Sequence, residues 1–263
     1  MADRFLIITA SGQYKAPTLT AVASLKVEPA KGSGVIIGGV TTTAATEVAV
    51  RSTAYVEQAA GGQRSFSSSS ASDAAAGTGV RTIRLTFYKL SGVTLTGPFT
   101  EDITLNGVTA VNTVATDICK VEKIEALTVG TGLVAAGVIT MFAATAAGGG
   151  AIASIAAGQR RTGYAHHYVP TGITCRIASV SAQSTATTGN VPTFAARSLP
   201  LDLTNAAEVV LLDGFGVQGS TGAKALTYPV ARAVVGPARI VFYVTPSNVT
   251  NQQQQLDASY VED

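Results

Sequence analysis

Arg81-Thr-Ile-Arg-Leu-Thr-Phe-Tyr88 decides the fold class. Ile83, Leu85 and Phe87 fall on one side of an extended chain, and Thr82, Arg84 and Thr86 on the other, which is the period-two alternation of a half-buried strand. Runs of similar character recur at Val93–Leu95, Glu101–Leu105, Ile124–Val129, Leu133–Ala143, Ala151–Ala156, Thr162–Val169, Ile173–Ala182, Val191–Ala196, Glu208–Leu212, Leu226–Val234 and Arg239–Val244. Turn residues part them, among them Ser91-Gly92, Gly97-Pro98, Asn106-Gly107, Gly148–Gly150, Pro170-Thr-Gly172 and Gly236-Pro237. Many short strands at this spacing predict an all-β chain, with a β-sandwich or jelly-roll-like body over 80–263. One segment departs from the pattern. Val114, Ile118, Val121 and Glu125 fall at helical spacing, which predicts a short helix near Thr113–Cys119 running into a strand.

Upstream of the body the character changes. Residues 1–79 carry short apolar pieces at Phe5–Ile8, Leu19–Val27, Gly34–Val40 and Glu47–Val56, with few large side chains. They finish in Ser65–Gly79, a Ser/Ala/Gly-rich stretch of the composition that makes flexible links. The expectation is an extended N-terminal arm or small β subdomain over 1–79, joined by an exposed link at 65–79 and ordered largely by its neighbours.

Composition narrows the function classes. The 263 residues are 46% hydrophobic and only 13% charged, with a net charge of +2. A disordered chain is poorer in apolar residues, and a nucleic-acid coat is far more basic. The only adjacent basic pair is Arg160-Arg161, and no basic stripe with interleaved aromatics is present, so no direct nucleic-acid contact is expected. No charge occurs between Glu125 and Arg160, but that stretch is broken by seven glycines and falls short of the ~20 mostly apolar residues of a spanning helix. No membrane partner is expected. The start, Met-Ala-Asp-Arg followed only by Phe5–Ile8, does not read as a secretory signal. Without export, Asn248-Val249-Thr250 is a coincidental sequon, and Cys119 and Cys175 are free thiols. Cys175, in line with Ile173 and Ile177, is expected to be buried as a small apolar residue.

The candidate motifs for chemistry fall short one by one. Gly214-Phe-Gly216-Val-Gln-Gly219 matches the dinucleotide spacing, but no helix signal follows it and position 239 is Arg where an acidic residue would hold ribose. It reads as a glycine-rich β loop. His166 and His167 are adjacent and face opposite sides of a strand, so one metal does not take both. One is expected packed and the other exposed or interfacial. Glu101-Asp102 splits across a strand in the same way, and Glu122 and Glu125 are accompanied by Lys120 and Lys123, leaving no acid/base pair of the glycosidase kind. With no G-x-S-x-G there is no visible hydrolase constellation. Catalytic, cofactor-binding and metal residues are therefore all assigned as none, with no cofactor, and the chain is not expected to be an enzyme.

Gly77-Thr-Gly79-Val-Arg-Thr-Ile-Arg-Leu-Thr-Phe-Tyr88, Gly97-Pro-Phe-Thr-Glu-Asp-Ile-Thr-Leu-Asn-Gly107, Val111-Asn-Thr-Val-Ala-Thr116, Ile124–Gly132 and Ala165-His-His-Tyr-Val-Pro170 together resemble a recurrent module of tailed-bacteriophage virion structural proteins, over roughly residues 77–185. The resemblance implies a virion component assembled in the host cytoplasm. Its most direct form is a capsid decoration (cement) protein that stabilises the head through contacts with the major capsid protein. A tail or baseplate component, or a host-attachment or carbohydrate-binding β-sandwich, is the alternative. Apolar residues on both faces of Leu133–Ala143, and the wholly apolar Val209–Leu212, predict a homo-oligomer, with a trimer expected from fold analogy.

Overall fold

The computed structural model describes residues 32–42, 46–184, 191–201, 209–217, 223–246 and 252–263. Its strands in chain order are β1 (Gly32–Thr42), β2 (Val48–Ala49), β3 (Ser65–Ser68), β4 (Val80–Ser91), β5 (Thr94–Thr104), β6 (Val111–Asn112), β7 (Lys120–Val129) and β8 (Ile139–Phe142). They continue with β9 (Ala151–Ile155), β10 (His166–Val169), β11 (Thr174–Ser184), β12 (Thr193–Pro200), β13 (Val209–Gly216), β14 (Ala223–Val235), β15 (Ala238–Thr245) and β16 (Gln252–Glu262). Every ladder between them is antiparallel. The chain is all-β, and no helix among the described residues is long and apolar enough to cross a membrane.

Among the described residues the strands form four sheets around two hydrophobic cores. The first core lies between the sheet β1-β16-β11-β14 and the sheet β10-β15-β12-β13, to which β2 adds beside β15. Ile36, Val180, Phe194, Phe242 and Leu256 fill it. The second core lies between β6-β3-β8-β9 and β5-β4-β7, with Phe66, Ile83, Leu85, Ile124, Ile139 and Met141 inside. Both are sandwich cores in which each sheet covers one face of the other.

β4 carries the alternation read from its sequence: Ile83, Leu85 and Phe87 are buried while Thr82 and Arg84 are only half-buried. The alternation then breaks: Thr86, on the face expected to be outward, is buried, and Tyr88 is buried next to Phe87. The registers with β5 and β7 both shift at this point, so a bulge turns Tyr88 inward. Gly97, opposite the bulge, has φ +140°, and a Cβ there would lie 2.7 Å from the Tyr88 ring. Only glycine combines that backbone with that space.

The expected partition at residue 79 does not follow the cores. Ser65–Gly79 is not an exposed link: β3 is an inner strand paired with both β6 and β8, and Ser65, Phe66 and Asp73 are fully buried. Its small side chains serve close packing, and a composition suited to flexibility proves equally suited to a crowded interior. Gly34–Val40 lies within β1, which pairs along its length with β16; Ile36 and Val50 enter the first core and Tyr55 and Phe66 the second, so this stretch contributes to both. Phe5–Ile8 and Leu19–Val27 lie outside the described residues.

Two further expectations are corrected. The helix near Thr113–Cys119 is absent, because Ile118 and Gly62 exchange backbone hydrogen bonds and draw this segment out along residues 62–64. Of Leu133–Ala143 only Ile139–Phe142 is a strand, and Leu133 and Val138 stand exposed in the preceding turns. The polar run Gln252–Gln255 opens β16, with Gln254 buried.

Candidate functional site

The cores meet at Tyr164–Val169, where six consecutive residues are buried. Sheet geometry sends alternate side chains to opposite faces. Tyr164 and Tyr168 accordingly enter the second core, and Ala165 and Val169 the first. A strand with both faces covered loses its polar alternation, which is why neither adjacent histidine reaches solvent. The exposed or interfacial position expected for one of them is thus corrected: both are buried, on opposite faces.

His166 lies among Tyr55, Tyr164 and Tyr168, with ring centroids 5.1–5.4 Å away. Its Nε2 is 2.9 Å from the Val121 carbonyl and 3.1 Å from the Glu122 carbonyl. Both are acceptors only, so Nε2 carries the proton. Burial pushes the His166 pKa down against the opposing pull of the Glu122 carboxylate, and the ring is neutral.

His167 faces the other way, with the Tyr260 ring tilted over it at a centroid distance of 4.1 Å. Its Nδ1 lies 2.8 Å from Glu122 Oε1 on β7, and its Nε2 2.9 Å from Glu262 Oε1 on β16. The second oxygen of Glu122 accepts the Tyr168 backbone N–H at 3.0 Å. Burial alone would lower the His167 pKa, but the Glu122 charge and hydrogen bonds involving Cys175, Glu122 and Glu262 outweigh it and hold it well above the ordinary range. Burial would raise Glu122, and the facing imidazolium holds it below the usual carboxylate range instead. Burial moves the Tyr260 phenol the other way, up to about 12. The result is an imidazolium clasped between two carboxylates, joining three sheets. With both ring nitrogens engaged, His167 has no lone pair left to act as a base.

Two further buried charges hold the second core. Asp73 accepts from Ser68 Oγ at 2.6 Å and from the N–H groups of Val80, Ala136 and Gly137 at 2.8–2.9 Å. These bonds outweigh burial and lower its pKa. A Cβ on Gly79 would collide with its Oδ1 at 2.1 Å, so the carboxylate depends on that glycine for room. Arg64 is buried and donates to the carbonyls of Ile118, Ala60 and Ala143, and burial lowers its pKa.

The other residues weighed in the sequence serve the framework. Glu101 accepts from the amides of Val114 and Ala115, Asp102 pairs with Arg84 at 2.7 Å, and Lys123 with Glu125 at 2.9 Å. Gly214 and Gly216 lie in β13 rather than in a loop; Gly219 and Asn248 lie outside the described residues. Cys119 and Cys175 are free and buried. Among the described residues no group of three or more His, Cys, Asp and Glu could hold a metal ion. Glu262, Asp73 and Arg64 carried no sequence signal, because their importance arises from partners far along the chain.

No protein-family model matches the chain, and no curated protein is similar to it. Among solved structures, the chain overlaps that of infectious bursal disease virus, Gx strain, at 9% identity and a TM-score of 0.29, over 88% of this chain and 71% of that one. The VP2 subviral particle of the same virus gives 11% identity and a TM-score of 0.26, over 88% and 67%. Neither comes from a tailed bacteriophage, and scores of this size lie below a shared topology.

Proposed function

We propose that the chain is a structural component of a virus particle, acting through subunit contacts rather than catalysis, and within that class a decoration (cement) protein of the capsid exterior. One observation carries this reading. Among the described residues β13 pairs on one side only, with β12, and Val209 and Val210 on it are 54% and 57% exposed. Soluble monomers blunt sheet edges with lysine, proline, bulges or short strands; β13 shows two register shifts against β12 but has neither lysine nor proline, running Val209-Val-Leu-Leu-Asp-Gly-Phe-Gly216. An apolar strand that pairs on one side only among the described residues accords with a surface that is covered on assembly.

The mechanism is mechanical. Neighbouring capsid subunits are bridged by a rigid β body, and an interface of ~1,200–2,000 Å² resists their separation. A symmetric homo-oligomer, expected as a trimer, belongs to the same proposal. Quantitative protein counting on purified particles tests it: hundreds of copies support the head surface, six or a dozen place the protein in the tail, and absence from particles refutes the virion reading.

A further inference from the structure

The last two inward side chains of β16 rest on one ring. Tyr260 and Glu262 share a face by the two-residue period of a strand, and both reach His167, the first at a centroid distance of 4.1 Å and the second through Oε1 at 2.9 Å from Nε2. Gly34 on β1, opposite Tyr260, leaves room for this, since a Cβ there would lie 2.6 Å from the Tyr260 hydroxyl. A cationic ring favours both contacts, through the carboxylate charge and through the π face of the phenol. Outside the ring's reach, the Arg176–Asp263 pair is nearly half exposed and adds little. Beyond the backbone ladders, this end of β16 is therefore held by the charge of a single side chain.

Glu122 faces His167 from β7, Glu262 and Tyr260 from β16 and Cys175 from β11, and Tyr88 on β4 lies among the same carboxylates. His166, its neighbour on β10, points the other way into the tyrosine cluster. Burial pushes the Tyr88 and Tyr260 phenols up, and the imidazolium holds Glu122 low, so these three keep their charge as pH rises from neutral. A neutral imidazole has one N–H and one lone pair, so it holds only one of the two carboxylates. Glu122 also accepts the Tyr168 N–H, whereas Glu262 has no second hydrogen bond among the described residues. The remaining proton thus stays on Nδ1, and the Nε2 lone pair is left facing Glu262. The Glu262 side chain is 14% exposed against 2% for His167, so it turns outward without crossing the core.

We propose that His167 is a proton-operated latch on the end of β16: as an imidazolium it holds Tyr260 and Glu262 inward, and as a neutral ring it turns Glu262 out and loosens residues 260–263 from β1 and β11. Opening uncovers Cys175, which lies opposite Glu262 in the β11 ladder and is fully buried while the latch is closed. The device is independent of the virion reading.

The test is alkylation of the intact chain by iodoacetamide between about pH 6 and pH 10, with Cys175 and Cys119 followed separately by peptide mass mapping. Each rate is divided by that of the urea-unfolded chain at the same pH, and NMR of the His167 imidazole follows its proton. Cys175 is expected to gain about tenfold or more in relative reactivity as the ring titrates, while Cys119, buried just before β7, stays unchanged. Glu262→Ala, which removes the latch and leaves the ring, should show the raised reactivity already at the acid end and no further rise. A ring that keeps its proton throughout, a Cys175 reactivity that ignores the titration, a parallel rise at Cys119, or an intact pH response in Glu262→Ala would each overturn the proposal.

Discussion

Nε2 of His167 lies 2.9 Å from Glu262 Oε1, so β10 in one sheet of the first core is fastened to β16 in the facing sheet by a charged contact rather than by apolar packing alone. Through Nδ1 the same ring reaches Glu122 in the second core. Breaking a buried pair by removing one partner costs about 3–5 kcal/mol, because the other charge is left buried and alone. His167→Gln should lose stability of that order in urea unfolding, and Glu122→Gln somewhat less, since Glu262 remains. A loss below about 1 kcal/mol for His167→Gln would mean that water already reaches the carboxylates.

The adjacent histidines should give a stability maximum near pH 6.5, their ordinary pKa in the unfolded chain. His167, raised in the fold, contributes stability that is full below that pH and is lost as pH rises toward its folded value. His166, lowered in the fold, contributes stability that is present above that pH and is lost as pH falls. Each limb has a slope of up to about 1.4 kcal/mol per pH unit. Urea unfolding across pH 5–8 measures both. His167→Gln should flatten the alkaline limb and His166→Gln the acid limb, and a profile unaffected by either substitution contradicts the assigned protonation states. Below about pH 4.5 Glu122 and Asp73, both lowered in the fold, add a steeper acid loss.

Asp73→Ala orphans three backbone donors at once. At ~1–3 kcal/mol for each unsatisfied buried group, the substitution should cost about 3 kcal/mol or more. Asp73→Asn, which keeps one acceptor oxygen, should lie between. Thermal melts of the two variants beside the parent chain show the order, and near-identical melting points would contradict it.

Removal of residues 1–79 should abolish cooperative folding, because it takes β1 from one core and β3 from the middle of a sheet in the other. Near-UV circular dichroism and denaturant titration of the 80–263 fragment decide this. A sharp two-state transition would show that β1 and β3 are dispensable.

The fold class was legible because it rests on local alternation: Ile83, Leu85 and Phe87 announce a strand whatever the partner. The pairing of the sheets was not, since β1 meets β16 across nearly the whole described chain and nothing near Val35 or Ser259 encodes the match. Ser65–Gly79 misled for a specific reason. Small polar residues fit a flexible link and a tight interior equally well, and the deciding Asp73 contacts come from residues 136 and 137. The two histidines could be placed on opposite faces from their adjacency, but their shared burial depended on a second core on the far side of β10.

The place of β16 between β1 and β11 has a consequence for synthesis. The ribosome makes β1 early and β16 late, at roughly 5–20 residues per second, so β1 waits roughly 10–40 s and β11 roughly 3–14 s without their common neighbour. Throughout that interval two strand edges with a fixed register are available, and a β16 from another copy satisfies them as well as the chain's own. Crowding of nascent chains on one messenger therefore favours exchange of β16 between copies during that interval.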